Sequence, residues 1–547
     1  MSVDERTDRA GHDAISWDPP DEGEWTLEAA HGSSLVPVPY RALSTTTFSE
    51  GTRRGLEPFG LPLSHAEMHF VNGWPYFSFF AHDVPRSAGK PPPAWVIKAI
   101  TRVHPGFRRR TKIARSAIRE RRAERIAAEW FSERSRWIDR ILDVQRVDLA
   151  ALDDAALADH FDDAKQLAVE GVTRHFALVF ASIPLGRWLL RAEQWGLPPA
   201  DVRNAVMHST PVHEEARARL SRISAAIGDA RPSDLEEVRA HSTEAAAALD
   251  DYLEHHGRWA TGDSVTGRTL EEHPRAVMAS ILRQRAQPDP GVAAAAILDR
   301  LRSAVPSADR DEFDRLAADA HETYKMLDDN SGILAAWTSG VMSTVLRTAT
   351  DRLVADGRID DTHHVWALEL DEIVALLRGT SSATPAQIAE AFTDWQRLGD
   401  LDPPPYLGPE PGDPPDPSWF PAPVAELMTA FFAFFEDKFN EGGTAVGIGD
   451  TPVEGRAIVV EEAADALDRM EPGDVLVTTA TNPSYNTVLG IAGGVVVSAG
   501  GLSSHTAVVA RELGIPALVG YADALERIPD GSRVRLDPST ATVTVVS

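Results

Sequence analysis

The chain has 547 residues, 43% of them hydrophobic and 25% charged, with 54 Lys and Arg against 82 Asp and Glu for a formal net charge of −28. That length predicts two to four domains, and the acidic surface argues against nucleic acid or an anionic membrane as a main partner. There is no cysteine, which excludes disulfides, thiolate metal sites and cysteine nucleophiles.

The first stretch, MSVDERTDRAGHD, is charged throughout and does not read as a signal peptide. No run of about 18 apolar residues predicts a membrane span, so the expected compartment is the cytoplasm. Residues 1–105 read as an irregular, aromatic-rich opening segment, with loops and short strands from about residue 14 and no long helical periodicity. Trp17, Trp25, Trp74 and Trp95, with the Phe-rich 77–80 stretch, suit either a core or an aromatic acceptor pocket. His31, His65 and His69 with Glu67 can be read as a metal cluster, but no HExxH or i, i+4 ligand pattern accompanies them, so no metal is expected.

Residues 106–400 read as helices, because apolar residues return every three or four positions in segments such as LADHFDDAKQLAVEGVTRHFALVFASI. Segments such as Ser233-Asp234-Leu235-Glu236 and Thr384-Pro385-Ala386-Gln387 mark helix starts, offering an N-cap and a proline at the first helical position. Nine Lys and Arg fall between Arg108 and Arg125. They predict a solvated helix face or, more sharply, a dock for a nucleotide-loaded partner.

Residues 401–444 form a proline-rich linker and a short helix. Ten prolines lie between Asp402 and Pro423, enough to span roughly 60–70 Å at about 3.1 Å per residue if fully extended as polyproline II. A strap lying along the helical domain is the simpler reading. The helix VAELMTAFFAFFEDKF follows, and a glycine-containing stretch at 441–449 predicts a pivot.

Residues 445–547 read as a compact α/β domain. Strands are predicted at Val453–Val460, Val475–Thr479, Gly494–Ser498, Ala517–Gly520, Arg533–Asp537 and Ala541–Val546, and helices at Ala463–Arg469 and Thr506–Leu513. In AGGLSSHTAVVARELGIPALVG, Gly500 and Gly501 allow a tight turn after a strand. Ser503 or Ser504 can cap the next helix, and Gly514 with Pro516 ends it. His505 therefore falls at a helix N-terminus, where backbone N–H groups and the helix dipole favour a phosphoryl group. Its neutral imidazole is a competent nucleophile near pH 7.

This stretch resembles the signature of the phosphohistidine swivelling domain of phosphoenolpyruvate-utilising enzymes. GIGDTPVEGRAIVV, PGDVLVTTATNPSYNTVL and DGSRVRLDPSTATVTV resemble the other parts of that domain, so the resemblance covers about 440–547. It implies phosphorylation of His505, within a loop of Gly500, Gly501, Ser503, Ser504 and Thr506, with Arg511 either contacting phosphate or serving an internal cap or ion pair. Upstream, SWDPPDEGEWTLEAAHGSSLVPVPY, HFVNGWPYFSFF, DDYLEHHGRW and DDTHHVWALELDEIVALL resemble the acceptor-side domain of rifamycin phosphotransferase-like and phenylphosphate synthase-like proteins. His256 precedes Gly257 here, where those families carry Tyr-Gly-His-Arg. The resemblance implies acceptor-binding candidates at Arg258, His256, Trp17, Trp25, His31 and Trp74.

The implied fold is multidomain α+β, a large mainly α-helical acceptor domain followed by a C-terminal swivelling β/β/α phosphohistidine domain. No stretch resembles an ATP-grasp domain or a (β/α)8 barrel. The resemblance therefore implies a dikinase-type phosphotransferase component that binds no cofactor tightly and is inactive alone. A stand-alone ATP-grasp subunit would bind ATP and Mg and charge His505, and a small-molecule hydroxyl, phenol-like or from a natural product, would accept the phosphoryl group. A carrier relaying phosphate to another protein is the alternative, and a non-catalytic relative that only binds partners is the third reading.

Overall fold

The computed structural model describes residues 15–28, 35–82, 93–261, 267–283, 290–412, 414–438, 445–449, 451–461, 463–481, 485–502 and 504–546. The elements used below are helices α1 (Val38–Leu56), α2 (Arg122–Gln145), α3 (Asp154–Val179), α4 (Ile183–Gln194), α5 (Pro199–Asn204), α6 (Pro211–Ile227), α7 (Pro274–Arg283), α8 (Arg310–Asn330), α9 (Thr338–Ala355), α10 (Ala422–Lys438), α11 (Ala463–Arg469), α12 (Asn486–Ile491) and α13 (His505–Leu513). The strands are β1 (Trp25–Leu27), β2 (Leu63–Val71), β3 (Trp74–Ala81), β4 (Tyr406–Leu407), β5 (Val446–Ile448), β6 (Val453–Val459), β7 (Val475–Thr478), β8 (Gly494–Val497), β9 (Ala517–Val519), β10 (Arg533–Asp537) and β11 (Thr542–Val545).

The opening segment departs from the expectation of loops and short strands. Its hairpin β2–β3 fits, but α1 is a 19-residue helix. Three consecutive threonines and two glycines hide it, since these are poor helix formers. Tertiary packing decides instead: a Cβ on Gly51 or Gly55 would come within 2.7 Å of the Thr173 or Ala177 carbonyl of α3, so the glycines let the two helices approach closely. Helix α3 itself follows the pattern, with Asp153 capping it through the Ala156 N–H at 2.8 Å and Leu157, Phe161, Ala164, Leu167 and Ala168 buried along one face.

The proline-rich strap lies along the four-stranded sheet, whose order is β2-β3-β1-β4. The Pro404 carbonyl accepts from Tyr76 Oη at 2.8 Å, the Leu398 carbonyl accepts from Trp74 Nε1 at 3.1 Å, and β4 pairs with β1. The helix expected as part of the linker, α10, is instead core of the helical domain. Leu427, Met428 and Phe431 are buried in one apolar cluster with residues of α2 and α3, and Phe431 stacks on Phe180 at 5.3 Å.

Helices α8 and α9 are joined by a π-helical segment, Ser331–Trp337, and a second π segment, Leu253–Gly257, precedes Arg258. The two abut: a Cβ on Gly332 would sit 2.6 Å from the Trp259 ring, and one on Gly340 would overlap the Arg258 carbonyl. Beside the first lie the fully buried Asp329 and Asn330. Asp329 accepts from Trp130 Nε1 and Arg134 Nε, both at 2.8 Å. Wide turns of this kind often mark functional positions in helical proteins.

The C-terminal domain is a seven-stranded sheet of order β11-β10-β6-β7-β8-β9-β5. β6 to β9 are mutually parallel, and the flanking strands are antiparallel. Its apolar faces are covered on both sides, as parallel strands require. Helix α11 and strand β10 fall on the expected residues. Part of the expected pivot does not: Val446–Ile448 is a strand paired with β9, and a Cβ on Gly447 would overlap the Pro538 carbonyl. Gly442 and Gly443 lie outside the described residues.

The two domains touch. Ala276 of α7 is buried within the C-terminal core, and a Cβ on Gly490 of α12 would lie 3.5 Å from Ser280 Oγ. Among the described residues no helix is long and apolar enough to cross a membrane.

Candidate functional site

Strand β8 delivers the chain to the sheet's C-terminal edge, where binding sites of open α/β sheets form. Ser498 and Ala499 continue the pairing to the Thr478 and Thr479 carbonyls at 3.2 and 2.8 Å. The backbone then turns at Gly500, whose φ of +100° lies in the left-handed region. A side chain there would also meet Ser504 Cβ at 2.8 Å, so glycine is required twice over. Ser504 N donates to the Gly501 carbonyl at 3.0 Å, and Ser504 Oγ accepts from Ala507 N at 3.4 Å as the N-cap of α13.

His505 is the first residue of α13 and is half-buried. Its Nδ1 lies 2.8 Å from Thr481 Oγ1, and the same hydroxyl lies 2.8 Å from Thr506 Oγ1. Two threonines thus fix the ring plane at the positive end of a helix. Arg511 Nη1 donates to the Leu502 carbonyl at 2.8 Å, an internal contact across the loop. Gly514, at φ +63°, ends the helix. Ser503 lies outside the described residues.

Thr481 is the residue that sequence reasoning passed over. The available signal was its place in the hydroxyl-rich TTAT stretch just after a buried parallel strand. Tyr485 is buried, bonded through its hydroxyl to the Glu461 carbonyl at 2.7 Å, and has a structural role.

The acceptor-binding candidates fall in two other places. Trp25 and Trp74 are buried with Tyr76 and Leu407, with Trp17 packed against them; their rings fill a core of the four-stranded sheet. His31 lies outside the described residues. His65 and His69 both contact Glu67, at 2.9 and 3.1 Å, and hold its carboxyl below the usual range against the opposing effect of burial. Among the described residues no group of His, Asp or Glu is arranged to hold a metal.

Arg258 follows the second π segment and donates through Nη1 to the Gln145 carbonyl at 2.6 Å, with Nε 3.7 Å from Glu271. His256 is buried between the rings of Tyr252 and Trp259, at 5.1 and 5.2 Å. Burial, reinforced by the charge of Arg219, holds its pKa well below the ordinary histidine value. The ring is neutral, and its Nε2 has no hydrogen-bond partner among the described residues. In the basic run, Arg110 is buried and bonded to the Leu61 and Leu63 carbonyls, while Arg119 and Arg125 pair with Glu120 on the surface.

These elements make up a β/α domain that presents a histidine from a glycine turn at a helix N-terminus. The family profile of the PEP-utilising enzyme mobile domain matches residues 470–541. The C-terminal part of the chain is thus similar to the mobile domain of PEP-utilising enzymes. The chain is similar to a rifampicin phosphotransferase of Streptomyces sviceus, 29% identical over 56% of this chain and 35% of the relative. It is also similar to a phosphoenolpyruvate synthase of Escherichia coli, 40% identical over 20% of this chain and 13% of the relative. A phosphotransferase of Bacillus subtilis is 29% identical over 44% of this chain and 28% of its own length. The chain thus matches about a third or less of the length of these relatives.

Proposed function

We propose that this protein is a phosphotransferase component that carries a phosphoryl group on Nε2 of His505 and delivers it to a hydroxyl held by the helical domain. The observation that carries this reading is the contact between Thr481 Oγ1 and His505 Nδ1, which commits that ring nitrogen and so assigns the phosphoryl group to Nε2. Backbone N–H groups of the first turn of α13 suit the equatorial phosphoryl oxygens.

Charging takes place on an ATP-grasp partner that binds ATP and Mg, by attack of Nε2 on the β-phosphate, with AMP and phosphate released. Attack breaks the bond from the β-phosphorus to the oxygen of the departing AMP as the P–N bond forms, and water then cleaves the β–γ P–O bond of the pyrophosphoryl group, releasing phosphate and leaving one phosphoryl group on Nε2. The domain then returns to the helical domain, where the docking of α12 on α7 beside the segment carrying Arg258 supports delivery. In-line transfer needs the acceptor oxygen about 3–3.5 Å from phosphorus. The similarity to rifampicin phosphotransferases supports a phenol-like or natural-product hydroxyl as acceptor.

The test is a chase. Protein labelled on histidine is mixed with phenols and alcohols, and 31P NMR follows the label. Growth of a phosphate monoester supports the reading; label that leaves only as inorganic phosphate, at the rate of the denatured phosphoprotein, overturns it.

A further inference from the structure

A cluster of three histidines and an aspartate in the helical domain is absorbed by nothing above. His321, Tyr324 and Asp328 stand at i, i+3 and i+7 of α8, on one face of the helix. Opposite them runs the connection from α5 to α6, carrying Val206, His208 and Thr210, and then His213 in the first turn of α6. The rings of His208 and His321 stack at 4.4 Å and 20°. Asp328 accepts from Thr210 Oγ1 at 2.6 Å and lies 3.7 Å from His213 Nε2.

The tautomer of His321 is fixed by chemistry. Its Nδ1 lies 2.8 Å from the Val206 carbonyl oxygen, which can only accept. Nδ1 therefore carries the proton, and Nε2 of the neutral ring holds a lone pair. Both stacked histidines are half-buried rather than sealed in the core.

Apolar packing also joins this region to the helix that bears His505. Val206, Met207 and Tyr324 belong to one apolar cluster with Val508 of α13, and Val508 is one turn from His505.

We propose that the acceptor hydroxyl binds at this cluster and yields its proton to Nε2 of His321 as the phosphoryl group arrives from His505. The inference rests on the phosphotransfer reading above. The P–N bond to His505 breaks, the P–O bond to the acceptor forms, and the acceptor's O–H proton moves to His321, which becomes imidazolium and later loses it to water. His505 leaves as a neutral imidazole whose Nδ1–H faces Thr481. Burial keeps His321 below the ordinary histidine value, against the opposing hydrogen bond to Val206, so the ring is neutral near pH 7. The charged and titratable groups around it are His208 and His213 from the α5–α6 side, Glu214 on α6, and Glu322, Lys325 and Asp328 on α8. A base of this kind contributes about a hundred-fold or more to a transfer rate.

The full chain is labelled at His505 with phosphoramidate and chased with phenol, catechol and simple alcohols across pH 5 to 9. His321→Asn keeps an N–H for the Val206 carbonyl and removes the base. His321→Gln is the second variant should the first misfold, with retained His505 labelling as the check on folding. The expected result is undiminished labelling, transfer slowed about a hundred-fold, and loss of the decline in rate at acidic pH. Wild-type transfer rates and an unchanged pH profile in both variants would overturn the proposal and leave phosphotransfer standing. If wild-type protein itself passes label to none of these hydroxyls, the phosphotransfer reading falls and this inference falls with it.

Discussion

Arg268 of the helical domain donates through Nη1 to Asp468 of the C-terminal domain at 2.7 Å. The same carboxylate lies 3.5 Å from Nδ1 of the buried His273. Asp468 sits in α11, so this pair fastens the histidine-bearing domain to the segment just before α7. The contact is half-exposed, and half-exposed ion pairs contribute little, at most about 1 kcal/mol. Under the proposed function, a contact of that size can be made and broken as the histidine-bearing domain moves between its two targets.

Asp468→Asn therefore shifts the balance of docked and undocked forms by no more than about five-fold and leaves both domains folded. Small-angle scattering and hydrogen exchange on α7 and α12 read this directly. Unchanged protection of α7 in the variant would mean that the apolar contact of Ala276 holds the domain alone.

Thr481→Val removes the oxygen that holds His505 Nδ1 and also the bond to Thr506. Labelling of His505 should slow about ten- to hundred-fold, whereas Thr481→Ser restores most of it. Equal rates in valine and serine variants would show that helix packing orients the ring without the hydroxyl.

His256 gives a pH dependence of defined sign. Its pKa is depressed in the folded protein, so below about pH 6.5 the unfolded chain takes up a proton that the folded ring refuses. The stability of the neutral ring is complete above that pH and declines on acidification, by up to about 1.4 kcal/mol per pH unit. His160, His273 and His321 are shifted in the same direction. His256→Phe should reduce the difference in urea stability between pH 7 and pH 5.5 by about 1 kcal/mol. An identical pH difference in the variant would place the effect on the other histidines.

Helix α10 is core, and Gly186 of α4 is where the two helices meet. A methyl group there would overlap the Ala430 carbonyl, which is backbone and cannot swing aside. Gly186→Ala should destabilise the helical domain by about 1–3 kcal/mol, measured by chemical denaturation. A neutral effect would contradict the packing of α10 on α4.

How far this was legible in the sequence follows from what each residue depends on. Strands β6 to β11 and α13 are local, set by runs such as Val475–Thr478 and by Gly500 and Gly514, and they read to within a residue or two, whereas β5 fell in the expected pivot. The helix starts expected at 233–236 and 384–387 are local too, and the structure places the caps on Asp234 and Thr384. Helix α1 was hidden because its stability comes from α3, far along the chain. Thr481 was hidden for the same reason: its role exists only once β7 and β8 are neighbours and bring residues 481 and 505 together. The docking of α7 on α12 and the cluster around His321 join segments more than 100 residues apart, and no periodicity announces either. Pro-rich composition at 402–423 announced an extended strap but could not say that Tyr406–Leu407 would complete a sheet.

The central claim is that His505 carries the phosphoryl group, and one labelling experiment reaches it. The full chain is incubated with [β-32P]ATP and Mg2+ in an extract of its native host, recovered under alkaline conditions, and mapped by peptide mass spectrometry. A label that survives base, is lost in acid, maps to the peptide containing His505 and is abolished by His505→Ala is the predicted result. Full labelling of the His505→Ala protein, or label confined to another residue of the wild type, would contradict it.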